Sequence, residues 1–380
     1  MRMKPAYRLL FFILLFFGLF EGCRKEDPAQ IERSKTGEHL VEQEDGSLII
    51  LGTKELYHYR QLYWLKLTAS GEFINGNQFG EVGQSIPLAF EVNRSGSYGL
   101  LVENEREEQK PFSYRYTICD SAGVPYDYLL LSALPDHNGW SYKPASMVQN
   151  DNYTHLIGGS CQKNGTTYPL TIYIHENGTY YESKVYDFSE NLTILDMTKG
   201  AGEANLAVGL SDSGSLWIMS LTHKGDTIWT RQHHYEKAIY PRKIEVTGDG
   251  NIHIAGHYDQ VGQNSFISCF TATGEFIRTK YYNGSVPEQK AIITTENNET
   301  YCVLNHGGFS DLLRMDEEGN TLWSESIRND LGGSIQINSL IQTRSNELLM
   351  LGNKTAPHGV SYIYLAKFDA EGNQLWQKTW

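Results

Sequence analysis

The chain lacks a hydrophobic run long enough to cross a membrane as a helix. Its longest apolar segment, residues 9–20, contains 12 residues, whereas a spanning helix needs about 20. Arg2, Lys4 and Arg8 precede this segment, and a short apolar segment after basic residues is typical of an export signal. The pattern therefore predicts a signal peptide over residues 1–22 rather than a membrane span.

The chain also has little positive charge. It contains 32 Lys and Arg against 45 Asp and Glu, for a formal net charge of −13, and its basic residues form no cluster. Nucleic-acid binding needs clustered Lys and Arg to neutralise phosphates. The composition therefore argues against a nucleic-acid partner.

Motifs for enzyme chemistry are missing. The sequence has no GxSxG nucleophile elbow, no phosphate-binding loop, no HExxH zinc motif and no EF-hand ligand series. We therefore expect no catalytic activity, no cofactor and no metal. Acidic residues on the predicted innermost strands, Glu42, Glu91 and Glu245, leave open a pair of carboxylates in an enzyme, although such residues more often line a solvated channel.

Cysteine is scarce, with five in the chain. Export permits disulfides, but no spacing in this sequence requires one. Four of the cysteines lie on or close to predicted strands, where a free thiol behaves as a small core residue. We expect buried thiols at Cys119, Cys161, Cys269 and Cys302.

A repeat is what the sequence has in abundance. The repeated signature begins with a polar residue, continues with two further residues and a glycine, and ends in a short apolar or aromatic run. It occurs seven times. The intervals between the glycines are 52, 55, 47, 49, 45 and 53 residues, within the range of propellers, solenoids and arrays. The repeated glycines are Gly71, Gly123, Gly178, Gly225, Gly274, Gly319 and Gly372.

Each repeat contains four strand-like runs in the order strand, tight turn, strand, longer loop, strand, tight turn, strand. In the fifth copy residues 243–247 alternate in polarity and end at the turn Gly248-Asp249-Gly250. Four antiparallel strands per repeat of about 50 residues match a propeller blade. The sequence predicts an all-β fold, a seven-bladed β-propeller with blades at approximately 39–82, 83–135, 136–188, 189–236, 237–283, 284–330 and 331–380. Hairpins arranged in one or two sandwiches remain an alternative that does not explain the regular spacing.

The segment after the apolar run carries a resemblance. Residues 19–23, Leu-Phe-Glu-Gly-Cys, resemble a bacterial lipobox, although Glu21 replaces a small or apolar residue. Residues 24–27, Arg-Lys-Glu-Asp, resemble the charged tag of Bacteroidetes-type surface lipoproteins. The resemblance implies lipidation of Cys23, a tether over residues 23–38 and a lipid anchor in the outer membrane, exposed at the cell surface. A plain secretory signal is the alternative.

The last two repeats read DxxGNxLW and resemble propeller repeats of secreted Bacteroidetes-type lipoproteins. They are also similar to the quinoprotein repeat. The tryptophan is kept at Trp229, Trp323 and Trp376 only, and this departure argues against quinone chemistry. We expect these tryptophans to pack between neighbouring blades. In the other copies the residue at this position, four residues after the signature glycine, is Asn75, Asp127, Glu182 or Arg278.

Loops on a rigid scaffold tend to carry binding, and the face opposite the tight turns is rich in exposed aromatic and polar residues. These residue types suit a glycan, peptide or protein groove. Seven of the 12 histidines fall in or beside these loops, which raises a transition-metal site as a further possibility. No metal-binding spacing supports it, and adjacent histidines on a strand point opposite ways. The candidate ligand-binding residues are Tyr57, His58, Tyr59, Arg60, Trp140, His233, His234, His257 and His358.

The sequence therefore predicts a lipid-anchored, non-catalytic propeller that binds a glycan, a peptide or an envelope protein. Two alternatives stay open. One is a propeller enzyme, either glycan-cleaving or quinoprotein-like. The other is an outer-membrane assembly scaffold on the inner leaflet, similar to the quinoprotein-repeat lipoprotein of that machinery.

Overall fold

The computed structural model describes residues 34–56, 59–80, 84–105, 113–131, 134, 140–258, 264–285, 292–295, 298–330 and 332–380. The predicted signal peptide, Cys23, Tyr57 and His58 lie outside the described residues. Residues Ser34–Trp380 form one compact body. No helix in the described ranges is both long enough and apolar enough to cross a membrane.

Twenty-eight strands account for the regular structure of the described residues, and we call each set of four consecutive strands a unit. The first four units contain β1 Lys35–Glu42, β2 Leu48–Leu56, β3 Tyr59–Leu67 and β4 Phe73–Phe79; β5 Gln84–Val92, β6 Tyr98–Glu105, β7 Ser113–Cys119 and β8 Pro125–Leu130; β9 Ser141–Gln149, β10 Thr154–Lys163, β11 Thr166–His175 and β12 Tyr180–Val185; β13 Leu192–Lys199, β14 Asn205–Ser211, β15 Leu216–Leu221 and β16 Thr227–His233. The last three contain β17 Tyr240–Val246, β18 Ile252–His257, β19 Asn264–Phe270 and β20 Phe276–Asn283; β21 Ile292–Thr294, β22 Thr300–Asn305, β23 Phe309–Met315 and β24 Thr321–Arg328; β25 Ser334–Gln342, β26 Leu348–Thr355, β27 Ser361–Phe368 and β28 Gln374–Thr379.

Within each unit the strands pair antiparallel with their sequence neighbours. Five units form separate four-stranded sheets, and the first two share one eight-stranded sheet. A single parallel bridge between Arg60 of β3 and Gln84 of β5 joins these two units. Local hairpins therefore build the whole sheet structure, as the regular repeat predicts.

One hairpin turn recurs at the end of the third strand. In the first unit Thr68 N donates to Glu72 O at 2.8 Å and Gly71 N donates to Thr68 O at 2.9 Å. Gly71 has φ +77°, and all seven signature glycines have φ between +74° and +88°. Glycine reaches this left-handed region without steric cost. The first turn of each unit is similar, but its left-handed residue is Tyr153 in the third unit and Gly202 in the fourth, next to Asn152 and Glu203.

A second glycine column lies on the second strand of several units, where it faces a bulge in the innermost strand. The register of β1 shifts between Gly37 and His39. A Cβ built on Gly52 would lie 1.7 Å from Thr36 O. The bulged backbone leaves no room for a side chain there. The second unit keeps its bulge, between Pro87 and Ala89, while carrying Val102 in the column.

In the part of the chain that the structure describes, seven hydrophobic clusters hold the units together, six between consecutive units and one between the first unit and the last. The cluster between the first and second units contains Leu62 and Trp64 together with Leu100. The other five between sequential units have the same arrangement. The seventh joins Leu40 of the first unit to Leu365 of the last. The units therefore close into a ring.

The three tryptophans that follow a turn glycine in the sequence each contact the turn glycine of the next unit. A Cβ built on Gly71 would lie 3.0 Å from Trp376, which places the last unit's indole against the first unit's turn. Trp229 faces Gly274 and Trp323 faces Gly372 in the same way. The expectation that these tryptophans pack between neighbouring units is confirmed. The same contacts add a second reason for glycine at the turn.

The four cysteines of the described residues are buried free thiols, as expected. Burial raises the pKa of the Cys119 thiol to about 12, with a minor contribution from Asp120. A thiol with this pKa is protonated at neutral pH and is a poor nucleophile. These cysteines therefore serve as core residues.

Trp376→Ala should lower the free energy of unfolding by about 2–3 kcal/mol, because it opens the packing between the last and first units while removing a half-buried ring. Leu375→Ala is the matched control. Leu375 is 48% exposed, so its loss should cost less than about 0.5 kcal/mol. Urea denaturation of both variants measures the difference. Equal effects at the two positions would contradict a role for Trp376 in ring closure.

Candidate functional site

A cavity of about 570 Å3 runs along the innermost strands, lined by residues of β1, β5, β9, β13 and β17 together with Glu103 of β6. These first strands contact one another around the ring. The cavity is polar and carries both signs of charge in equal number. Its acidic residues are Glu91, Glu103, Asp196 and Glu245, and its basic residues are Lys143, Lys199, Arg242 and Lys243.

Asp196 of β13 binds groups from both neighbouring units inside this cavity. Ser146 Oγ of β9 donates to Asp196 Oδ1 at 2.9 Å. Lys243 Nζ of β17 donates to the same oxygen at 3.2 Å, and Ile244 N donates to Asp196 Oδ2 at 3.1 Å. Both charged side chains are largely buried. This carboxylate therefore ties three consecutive units together and accepts three hydrogen bonds.

The sequence leaves open a catalytic pair of carboxylates among Glu42, Glu91 and Glu245. Glu91 and Glu245 line the cavity. Glu42 instead lies at the junction of the first and last units, where its Oε2 accepts a hydrogen bond from Arg344 N at 2.8 Å. One of the three is thus committed to ring closure.

His257, a candidate ligand-binding residue, is buried at the end of β18. Arg242 Nε donates to His257 Nε2 at 3.2 Å. Because Nε2 accepts, the imidazole is neutral and carries its proton on Nδ1. His257 therefore positions an arginine of the central cavity.

The adjacent candidates His233, the last residue of β16, and His234, just after it, contact different units. His233 Nε2 donates to Gly274 O at 2.9 Å, and its ring centroid lies 4.8 Å from that of Phe270. Burial lowers the pKa of His233. This side chain therefore packs on the next unit's tight turn, and its ring is unavailable for the loop-face role predicted from the sequence.

His234 is exposed and ends a chain of hydroxyl contacts on its own unit. Its Nδ1 lies 2.8 Å from Ser215 Oγ. Ser215 Oγ lies 2.9 Å from Ser213 Oγ, which donates to Glu190 Oε2 at 2.6 Å. The serines belong to the turn between β14 and β15. This polar cluster lies where the second strand passes to the third, as expected for the loop face.

Trp140 lies before β9 in a second cluster at strand ends. Its ring centroid is 5.8 Å from that of Tyr168. Lys163 Nζ lies 4.8 Å from the Trp140 ring centroid, a cation–π arrangement. Lys163 is exposed at the end of β10. Trp140 and Tyr168 are half-buried and pack against the hydrophobic cluster between the second and third units. We call Trp140, Lys163 and Tyr168 the Trp140 cluster.

The remaining candidates lie on other units. Tyr59 and Arg60 begin β3, and His358 is exposed in the turn between β26 and β27. The structure therefore distributes the candidates around the ring. No group of three His, Cys, Asp or Glu in the described ranges could hold a metal ion.

Sequence reasoning missed Asp196. Its position on a predicted innermost strand was the one available signal, and the partners that make it a junction come from β9 and β17. Residues separated by about 50 positions meet only when the ring is assembled.

No protein family model matches the chain, and no curated protein is similar to it in sequence. Solved structures are similar in fold. The WD40 domain of Pan2 from Neurospora crassa aligns with a TM-score of 0.55 and 10% identity over 90% of this chain and 91% of that one. BBS1N, solved in complex with ARL6DN, aligns with a TM-score of 0.54 and 13% identity over 92% and 97%.

The β-propeller domain of the Trilobed protease from Pyrococcus furiosus aligns with a TM-score of 0.52 and 11% identity, over 91% of this chain and 97% of that one. Its structure reveals an open velcro topology. These identities are low and establish the fold alone. The fold of this chain is a β-propeller of four-stranded antiparallel sheets, as predicted.

Asp196→Ala should lower the free energy of unfolding by about 3 kcal/mol, since it leaves Lys243 without its carboxylate in a largely buried position. Adding Lys243→Met should recover part of this loss, because the uncompensated charge is removed. Thermal or urea unfolding of the single and double variants measures the coupling. Strictly additive effects would contradict a direct Asp196–Lys243 interaction.

Proposed function

We propose that this protein is a seven-bladed β-propeller, anchored by lipid at Cys23 in the outer membrane and displayed at the cell surface. It binds a glycan, peptide or protein partner and catalyses no reaction. The proposed blades are the seven units. The first begins with β1 at Lys35, so the predicted tether of residues 23–38 is too long at its end, and the other six units lie within the repeat boundaries stated from the sequence. The seven inter-unit clusters, including the one that joins the first unit to the last, support this count.

The Trp140 cluster is the observation that carries the binding role. Its indole, phenol and ammonium groups lie at strand ends on a rigid sheet, and aromatic residues with a cation are enriched in recognition surfaces. The exposed His234 network adds hydroxyl and carboxylate groups at the corresponding end of the fourth unit. Both clusters offer contacts without requiring the scaffold to move.

The structural use of Asp196 supports a non-catalytic role. A general acid or base must exchange a proton with its substrate, but the Asp196 carboxylate already accepts three hydrogen bonds from the protein. The fold neighbours include BBS1N in complex with ARL6DN, which supports a propeller that binds a protein partner.

Anchoring at Cys23 predicts that wild-type protein incorporates radiolabelled palmitate in growing cells and that Cys23→Ala abolishes the label. Cys119→Ala is the control, since a buried thiol takes no lipid, and its label should stay at the wild-type level. Protease treatment of intact cells should degrade the wild-type protein. Label on Cys23→Ala would overturn the anchor, and protection from protease would favour the inner-leaflet scaffold.

The binding role predicts that residues 34–380, which form one compact body, retain a glycan on an array or capture an envelope protein in a pull-down. Trp140→Ala should weaken that binding at least tenfold, because it removes the ring beneath Lys163. Tyr181→Ala, at an exposed outer-strand position, is the control and should bind normally. Binding unaffected by Trp140→Ala would exclude the cluster. An empty array with a captured protein would show that the partner is a protein, and protection of that protein's receptor from protease on intact cells would then favour the scaffold.

A further inference from the structure

A groove of about 360 Å3 lies between the first and second units, away from the Trp140 cluster. Its volume falls in the range of small-molecule sites, about 300–1,000 Å3. The first unit contributes Leu62, Phe79 and Gly80. The second unit contributes Val102, Asn104, Arg115, Thr117, Pro125, Tyr126, Asp127 and Tyr128.

The groove exists because the second unit departs from the other six at its third strand. Arg115 and Thr117 stand eight and six residues before the turn glycine Gly123. On this strand face the other units place mainly apolar residues in the clusters between units. We call the positions eight and six residues before the turn glycine the first and second columns. In the other units the first column holds Tyr63, Leu170, Trp217, Phe266, Asp311 and Tyr364. The second column holds Leu65, Ile172, Met219, Ser268, Leu313 and Ala366.

Asp311 is the other charged residue in the first column, and its own unit accounts for it. His306 Nε2 lies 3.0 Å from Asp311 Oδ2, and Ser326 Oγ donates to Asp311 Oδ1 at 2.6 Å. Arg115 lies half-buried in the groove, with its guanidinium carbon 4.8 Å from the Tyr128 ring centroid. The second unit therefore places a cation and an aromatic ring where most units place packed core.

Two tyrosines on β8 form the outer wall of the groove. Tyr126 is 62% exposed and Tyr128 is 57% exposed. Five residues after the turn glycine, where the second unit has Tyr128, the other units carry small or polar residues: Gly76, Ser183, Thr230, Thr279, Ser324 and Gln377. Every unit exposes a large side chain three residues after the turn glycine, the position of Tyr126. The second unit differs in adding the ring of Tyr128 on the same strand, and adjoining exposed rings mark an interaction site.

The lining favours a sugar over a peptide strand. Sugar rings offer C–H faces to aromatic rings and hydroxyl edges to planar charged groups, and the groove provides tyrosines, a guanidinium, a carboxylate and an amide together. A peptide that extended the sheet would need free backbone donors along β8. Pro125 has none, and Tyr128 N donates to its neighbour Asp127 Oδ1 at 2.8 Å.

We propose that this groove binds a short oligosaccharide. Tyr126 and Tyr128 stack on its rings, while Arg115 and Asp127 hydrogen-bond to its hydroxyl or carboxylate groups. This groove adds a second binding surface to the Trp140 cluster. The proposal rests on the proposed function in one respect, namely that the protein is a receptor.

The test uses residues 34–380 on an array of neutral and uronic-acid oligosaccharides, followed by calorimetry with the tightest-binding oligosaccharide. Tyr126→Ala and Tyr128→Ala should each weaken binding at least tenfold without shifting the melting temperature. Arg115→Lys should weaken a uronic-acid ligand more than a neutral one, because lysine cannot form the bidentate contact. Leu375→Ala, exposed on the last unit's outer strand, is the matched control and should bind as the wild type.

The outcomes separate the two proposals. Binding that is lost in the tyrosine variants and kept in Trp140→Ala supports the groove. Oligosaccharide binding that survives both tyrosine variants, or an array that stays empty, overturns it. If Trp140→Ala then abolishes capture of a glycan or protein, the proposed function stands without the groove. An empty array with no captured partner overturns both.

Discussion

The packing of each sheet on the next, and of the last on the first, is the constraint on which this structure depends. A single four-stranded sheet has two apolar faces and no core of its own, so each unit is stable only between two neighbours. In the described residues every unit consists of consecutive strands, and the first and last units are joined by side-chain packing and by hydrogen bonds between side chains and backbone. Gly37 N donates to Asn353 Oδ1 at 2.8 Å, and Asn338 Nδ2 donates to Gly37 O at 2.6 Å.

This constraint also explains where the units are allowed to differ. Inner and middle strands must fill the wedge between sheets, so their facing residues are mostly apolar. Towards the rim the sheets diverge, and a polar pair such as Arg115 and Thr117 is tolerated if it borders solvent. The second unit departs from its neighbours at that level, and the groove follows from it. In the central cavity, charges are retained where they connect units, as Asp196 does.

Much of the fold was predictable from the sequence because it is local. The turn at Gly71 needs a left-handed residue, the strand after it needs alternation, and the same pattern recurs in every unit. The tryptophan at position 376 was correctly expected to pack between units. The candidate site was predicted less well. His234 and Trp140 lie at strand ends as expected, whereas His257 is buried and His233 packs against a turn.

The sequence by itself determined the turns, the strand order and the repeat, since each depends on residues close together in the chain. Only the tertiary structure decided which side chains meet across units. Asp196 gains its partners from strands on either side, and Arg115 becomes a groove residue because of what the neighbouring sheet leaves open. Contacts of this kind depend on the angle and spacing between sheets. These arise from the closed ring and are not encoded in any single repeat.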